Sequence, residues 1–343
     1  MADLASELAD ALAGAEGWLV GGALRDELLG RPVVDLDVAC REPERAARAF
    51  ARAAGGAPFP LSERHGAWRI ALEDGRTVDF TPLPSGIAVD LAGRDFTLNA
   101  MARPLEGGEL VDPFGGQRDI AERTIRAVSD AVFETDPLRL LRAVRLEDEL
   151  GFRLHPESEQ LVRRHAALAP RPAGERILGE LERLSANGYR RLDELGLLDA
   201  LDGSPKLFDR IGLADSSHYR LACAFGERLR DLPISRRLDR YARTLLAAEP
   251  PADDSPRAIH RFRRATEPWA LDALAFLGLP ELRPTVERAR ADDPAAPLLR
   301  GNELGLSPGP EVGRMLELIA EERAAGTIST TEEAVELVRR EAR

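Results

Sequence analysis

An α+β fold is predicted for this chain of 343 residues, with a small mixed sheet within residues 1–130 and helices thereafter. Two observations carry that expectation. Before residue 130, short apolar runs and alternating apolar–polar stretches of strand character are interleaved with helical segments. From Pro137 onward the alternation disappears. Apolar residues there recur at helical spacing, in "PLRLLRAVRLEDELGF" and "PAGERILGELERLSANGYRRLDELGLLDAL".

The elements follow in order. Residues 3–13 have the apolar spacing of a short amphipathic helix. "WLVGG" is a brief strand ending in Gly21 and Gly22, and "ALRDELLG" continues as a helix with Gly30 as its stop. "VVDLDVAC" alternates apolar and acidic residues as a strand does. "EPERAARAFARAAGG" places proline near a helix start and glycines at its end. "AWRIALEDGRTVDF" reads as two strands joined at Asp74-Gly75, a hairpin signal. Proline and glycine clusters near 202–205, 249–256 and 291–310 divide the helical part. The expected organisation is a head over 1–130, a helical neck over 131–200, and a helical body and tail over 201–343, with "EPPADDSPR" the most linker-like stretch.

Apolar residues form 44% of the chain, enough to bury a core and to exclude wholesale disorder. The net charge of −12 argues against a nucleic-acid partner only weakly, because phosphate binding depends on where basic residues lie. Lys206 is the only lysine, so nearly every cation is an arginine. Cys40 and Cys223 lie far apart, which excludes a disulfide framework or a thiolate zinc site and fits a reducing compartment. The acidic N-terminus lacks the basic start and long apolar core of a signal peptide, and no run of eighteen apolar residues occurs. A soluble, cytoplasmic protein without a membrane partner is expected.

The chemistry gathers in "GWLVGGALRDELLGRPVVDLDVAC", residues 17–40. Strand side chains alternate faces, so Asp35 and Asp37 project together, a pair suited to hard cations such as Mg²⁺. Two such ions can activate a hydroxyl and stabilise departing pyrophosphate. Gly21 and Gly22 allow close approach to phosphates at a helix start, and Arg25, one turn in, can clamp a triphosphate.

In this order the residues resemble the signature of class II tRNA nucleotidyltransferases and bacterial poly(A) polymerases. "GRDFTLNAMA" (93–102), "LVDPFGGQRDI" (110–120) and "DPLRLLRAVRLEDELGF" (136–152) are similar to the family's second motif, its head–neck connector and its base-reading helix. The stretch from "LLRGNELGLSPGPEVGRM" to the end also resembles the tail of many bacterial members, whereas residues 200–290 hardly match. The resemblance implies a head like that of DNA polymerase beta, two Mg²⁺ ions on Asp35 and Asp37, and CTP and ATP as substrates. A tRNA acceptor arm is the implied partner. Monomer and homodimer both stay open.

Asp136 stands before the predicted helix at an N-cap position, and Arg139, Arg142 and Arg145 recur every three residues along it. A carboxylate accepts from the exocyclic amine that C and A carry, and an arginine donates to ring acceptors on the same edge. The resemblance implies Asp136 and Arg139 as the template, with Arg142 and Arg145 supporting the base or triphosphate. Gly22, Arg25 and Arg94 would hold triphosphate and Asp95 would bind ribose. Thr135 stands where the family often has glutamate, and Gly93 where it has a second arginine.

Asp79, in "TVDF", reads either as a solvated hairpin residue or as a third carboxylate. Only "TPLPSGIAVDLA" separates "VDF" from "GRDFT", where many members are longer and CC-adding members carry a deletion. The short connector raises the CC-adding reading, although short-loop members are not all of that kind; CCA addition is expected first, CC addition second and poly(A) synthesis third. An inactive RNA-binding relative is the rival from another class, and a nucleotidyltransferase acting on a small molecule or protein is a further one. None of the five histidines precedes an aspartate, so no phosphohydrolase doublet is expected. Residues 160–191 hold seven arginines against three glutamates, among them Arg163, Arg164, Arg171 and Arg176, and residues 236–264 hold eight against four acids. Both stretches are candidate RNA surfaces.

Overall fold

The computed structural model describes residues 7–10, 12, 14, 16–62 and 66–341. Of the helix expected over 3–13, residues 7–10 and 12 are helical, and the others lie outside the described residues. The chain divides into two compact units, one running to Leu201 and one from Asp202.

The first unit is built on a six-stranded sheet in the order β3-β4-β5-β2-β1-β6. Its strands are β1 (Gly17–Val20), β2 (Asp35–Cys40), β3 (Ala57–Ser62), β4 (Ala67–Ala71), β5 (Thr77–Pro82) and β6 (Ala102–Pro104). β2 and β5 pair parallel and the other neighbours antiparallel, so the sheet is mixed as expected. The Asp74-Gly75 hairpin forms between β4 and β5, with Gly75 at φ 86°. β3 was not expected, because Pro58 and Pro60 interrupt its apolar run. It survives as an edge strand, where missing N–H groups break no inner ladder.

Helix α1 (Gly22–Leu28) follows β1, and α2 (Pro43–Ala54) follows β2. α2 covers one sheet face with Ala46, Ala47 and Phe50 against Ile70, Val78 and Phe80, all buried. The Phe50 and Phe80 ring centroids are 6.1 Å apart. Burying such side chains is worth roughly 1.5–3 kcal/mol each, which fastens this face and leaves the other for the polar residues.

Helices α3 (Ile87–Ala92), α4 (Gly116–Ala121), α5 (Val132–Thr135), α6 (Arg139–Leu150), α7 (Pro156–His165), α8 (Gly174–Leu181), α9 (Ala186–Glu194) and α10 (Leu197–Ala200) complete this unit. Two short parallel strands, β7 (Thr124–Ile125) and β8 (Arg153–Leu154), lie among them. In "LVDPFGG" the Asp112 carboxylate accepts from the N–H groups of Gly116 and Gln117, at 2.7 and 2.9 Å, and so starts α4. Among the described residues every regular element of the second unit is helical, the last being Thr331–Glu341. "EPPADDSPR" falls inside that unit, running from the loop after the helix Arg236–Leu246 into the first residues of the helix Pro256–Thr266, and is not a boundary between units. No helix among the described residues is long and apolar enough to cross a membrane.

Candidate active site

A cleft of about 1040 Å³ opens in the first unit between the free face of the sheet and helices α6 and α8. It is lined at one end by Asp35, Asp37 and Asp79 and at the other by Asp136, Arg139 and Arg176, with Arg25 and Arg94 also on its walls.

The acidic end follows from strand register. Asp37 is opposite Asp79 across the parallel β2–β5 pair, and Asp79 is opposite Arg69 across β5–β4. Directly opposed residues share a face, so these side chains form one row over three strands. Asp35 lies one step along the same face of β2, where its Oδ1 accepts from Thr77 Oγ1 at 2.7 Å. Leu36, between the two aspartates, is buried on the other side. Burial pushes the Asp37 carboxyl above the usual aspartate value; Arg94 and Arg142 pull it down, but Asp79 and Asp35 add to the rise. Crowded carboxylates of this kind favour a bound cation. No group of three His, Cys, Asp or Glu among the described residues makes a closed metal cage. A carboxylate pair on the cleft wall, Asp35 exposed and Asp37 half-buried, suits Mg²⁺, which uses one or two protein carboxylates and takes its other ligands from water and phosphate.

The glycine turn sits directly beside this pair. Gly21 has φ 76°, and a Cβ there would stand 2.7 Å from Arg94 Nη1 and 3.0 Å from Asp37 Oδ2. The conformation favours glycine, and a Cβ would also crowd the two functional side chains. Arg25 is buried, donating from Nε and Nη2 to Asp26 at 3.0 and 2.8 Å and from Nη1 to Asn99 Oδ1 at 2.9 Å. A guanidinium has five N–H groups, so two of Arg25's remain for an anion in the cleft. Arg94 is steadied by Asp90, which accepts from its Nε at 3.0 Å.

At the other end α6 begins at Arg139, not Pro137, and Leu138 rather than Asp136 occupies the cap. Asp136 instead accepts from the Leu138 N–H at 3.2 Å, so its carboxylate turns toward the cleft. Burial raises its pKa, but the hydrogen bond from Arg176, the Leu138 N–H and the charges of Arg176 and Arg139 bring it below the usual value. The group is an anion and therefore an acceptor. Arg176 Nη2 donates to Asp136 Oδ2 at 2.8 Å. The Arg139 guanidinium donates from Nη2 to the Gly93 carbonyl at 2.6 Å and not to the Asp136 carboxylate, although the Arg139 backbone N–H donates to the Asp136 carbonyl.

Residues 17–83 and 71–126 match the poly A polymerase head domain family. An A-adding tRNA nucleotidyltransferase of Deinococcus radiodurans is 35% identical to the chain, over 94% of each sequence. The chain belongs to the tRNA nucleotidyltransferase family. A CC-adding tRNA nucleotidyltransferase of Thermus thermophilus is 32% identical, covering 93% of this chain and 92% of its own length. The crystal structure of the Bacillus stearothermophilus CCA-adding enzyme in complex with CTP is 26% identical with a TM-score of 0.77, covering 99% of this chain and 97% of that one. Membership makes the chain an enzyme, a nucleotidyltransferase with a mixed-sheet head followed by helices.

Within this family member several sequence assignments change. Asp95 lies on the cleft wall and its carboxylate is engaged by the protein itself. Its Oδ1 accepts from Phe96 N–H and Asn99 Nδ2, and its Oδ2 from Arg142 Nε and Nη2 at 2.9 and 2.7 Å. Those four donors fill the carboxylate and tie the second motif to α6. Arg145 is buried against Glu180 and Glu149, at 2.6 and 3.0 Å, so the three arginines of α6 are not a solvated stripe. Arg176 lines the cleft. Arg163 is exposed but engaged by Glu159, at 2.8 Å, and by the Glu194 carbonyl. Arg164 and Arg171 are exposed. Asp79 is neither solvated nor free, since Arg69 Nε and Nη2 donate to both its oxygens at 2.6 and 2.7 Å. Sequence reasoning missed Arg69, although a hairpin centred on Asp74 sets residue 69 opposite residue 79. His65, one of the five histidines, lies outside the described residues.

Proposed function

We propose that the chain adds C and A residues to the 3′ end of tRNA without a nucleic-acid template, taking CTP and ATP. The observation that carries this reading is one cleft lined by the Asp35–Asp37 pair and by an ionised Asp136 beside arginine donors. Asp35 and Asp37 would hold two Mg²⁺ ions, which when bound supply charge for the departing pyrophosphate and acidify the attacking 3′-hydroxyl. The unused N–H groups of Arg25, and Arg94 beside Gly21, face the phosphates. Gly22 lets the backbone approach them, since its absent Cβ leaves Arg25 Nη2 close to the turn.

At the base end Asp136 accepts from the amine of C or A and leaves the carbonyl of U or G facing an anion. Arg176 fixes the carboxylate so that its remaining lone pairs point one way, and Arg139 stands beside it as a donor. Arg142 and Arg145 act indirectly, by holding α6 against Asp95 and Glu180.

The test is incubation with tRNA transcripts ending before, within and after CCA, with each labelled nucleoside triphosphate supplied singly. C then A should be added, and U and G refused. Arrest after CC, or addition of A alone, would restrict the product as in the CC-adding and A-adding relatives; a homopolymer of A would overturn the reading. Asp136→Ala and Arg176→Ala should each narrow the preference for C and A over U and G, the former by about 5-fold to 150-fold, the worth of one good bidentate base contact. Rates that fall equally for all four nucleotides would show that this end of the cleft does not read the base.

A further inference from the structure

The row Asp37–Asp79–Arg69 carries a guanidinium that the nucleotide-adding reaction has not used. Asp79 and Asp37 are like charges directly opposed across two strands, an arrangement that destabilises a sheet unless it is compensated. Compensation comes from the next strand. Arg69 closes a two-pronged pair on Asp79, whose side chain is only 14% exposed, whereas no arginine hydrogen-bonds to Asp35 among the described residues. The acidic end therefore contains three carboxylates of unequal standing. Two face the cleft without a guanidinium fork, and one is matched by a cation of the protein itself.

We propose that Arg69 is a positioning residue of the metal centre: it immobilises and neutralises Asp79, so that divalent cations are held by Asp35 and Asp37 alone. This rests on the two-cation reading of that pair. Without Arg69 the face carries one more uncompensated charge beside Asp37. Asp79 can then swing toward the cleft and take a share in a cation that Asp35 and Asp37 would otherwise place. The cation is bound more tightly and in the wrong position. Arg69 acts through Asp79 and touches neither primer nor nucleotide in this account.

The test reads binding apart from turnover. Mn²⁺ is titrated into the full-length protein without nucleotide, and the free ion is followed by electron paramagnetic resonance. Arg69→Leu should tighten Mn²⁺ binding by about tenfold, the scale of one unit charge gained near a divalent ion in a partly solvated site. Its kcat for nucleotide addition should fall while KM for CTP stays close to the wild-type value. Asp79→Asn should weaken Mn²⁺ binding, because it leaves the Arg69 charge unmatched. Arg69→Leu combined with Asp79→Asn should return the affinity to near the wild-type value, which also answers for any loss of folding in the single variant. Arg69→Lys keeps the charge and should bind Mn²⁺ as the wild type does. Weakened or unchanged Mn²⁺ binding in Arg69→Leu would overturn the inference, as would shifts of the same sign in the two single variants. If those outcomes occur while the wild-type protein adds nucleotides and needs Asp37 to bind Mn²⁺, only the role of Arg69 fails. If Asp37→Ala leaves Mn²⁺ binding intact, the reading of the pair fails with it.

Discussion

Asp37 illustrates how a single residue can serve the site at the expense of the fold. Burial, with Asp79 and Asp35 beside it, disfavours its charged form, so its pKa in the folded protein lies above the unfolded value. The sign follows: the penalty is fully present above the folded pKa and disappears as pH falls below the unfolded one. A neutral amide removes it. Asp37→Asn should therefore stabilise the protein in EDTA by about 1 kcal/mol, within the range seen when a strained functional group is relaxed, while abolishing nucleotide addition. Thermal melts of both proteins in EDTA at neutral pH check this. A variant no more stable than the wild type would mean that Arg94 already balances the crowding.

At the scale of elements, what matters is how α6 is held. It carries no side-chain cap and is tied by charge pairs, through Arg142 to the buried Asp95 of the second motif and through Arg145 to the buried Glu180 of α8. Burial alone would raise the Asp95 pKa, but Arg142, Asn99 and the Phe96 N–H bring it below the ordinary value. A depressed carboxylate contributes stability that is fully present above its unfolded pKa and is lost as pH falls through the folded one. Asp95→Asn sets an amide N–H₂ against the Arg142 fork and should cost roughly 3 kcal/mol at neutral pH, as breaking a buried pair does. The difference between variant and wild type should shrink as pH falls below the usual carboxylate range. Urea denaturation at several pH values reads both effects. A difference that does not change with pH would assign the role of Asp95 to packing.

On the scale of the whole molecule, a net charge of −12 must coexist with the polyanionic RNA partner proposed above. Most arginines are spoken for by carboxylates, so candidate RNA contacts are the exposed ones without a paired acid. In the first unit these include Arg164 and Arg171; in the second, Arg236, Arg237 and Arg240 lie exposed along one helix. Replacing Arg164 and Arg171 by glutamate should weaken tRNA binding and lower the slope of log K against log salt by about 1 to 2, the worth of one or two phosphate contacts. Binding measured from low to moderate salt gives that slope directly. An unchanged slope would move the RNA surface off this part of the first unit.

Much of the site was legible in the sequence because it is built from local order. A strand period of two put Asp35 and Asp37 on one face, Gly21 and Gly22 announced the turn, and the Asp74-Gly75 hairpin already implied the β4–β5 register. The shift from alternation to helical spacing marked where the sheet stops. What stayed hidden depends on partners distant in the chain. Arg176 is 40 residues from Asp136, and Asp95 is 47 from Arg142. Composition reads every arginine as one positive charge, whereas its role is set by the carboxylate that meets it. The same blindness hid the Arg142 fork on Asp95 and the Arg176 bond to Asp136, and left Asp79 undecided until β4 brought Arg69 across. The local pattern determined which side chains reach the cleft; only the tertiary pairing decided which of them are left free to bind, because a charge already matched within the protein has little left to offer a ligand.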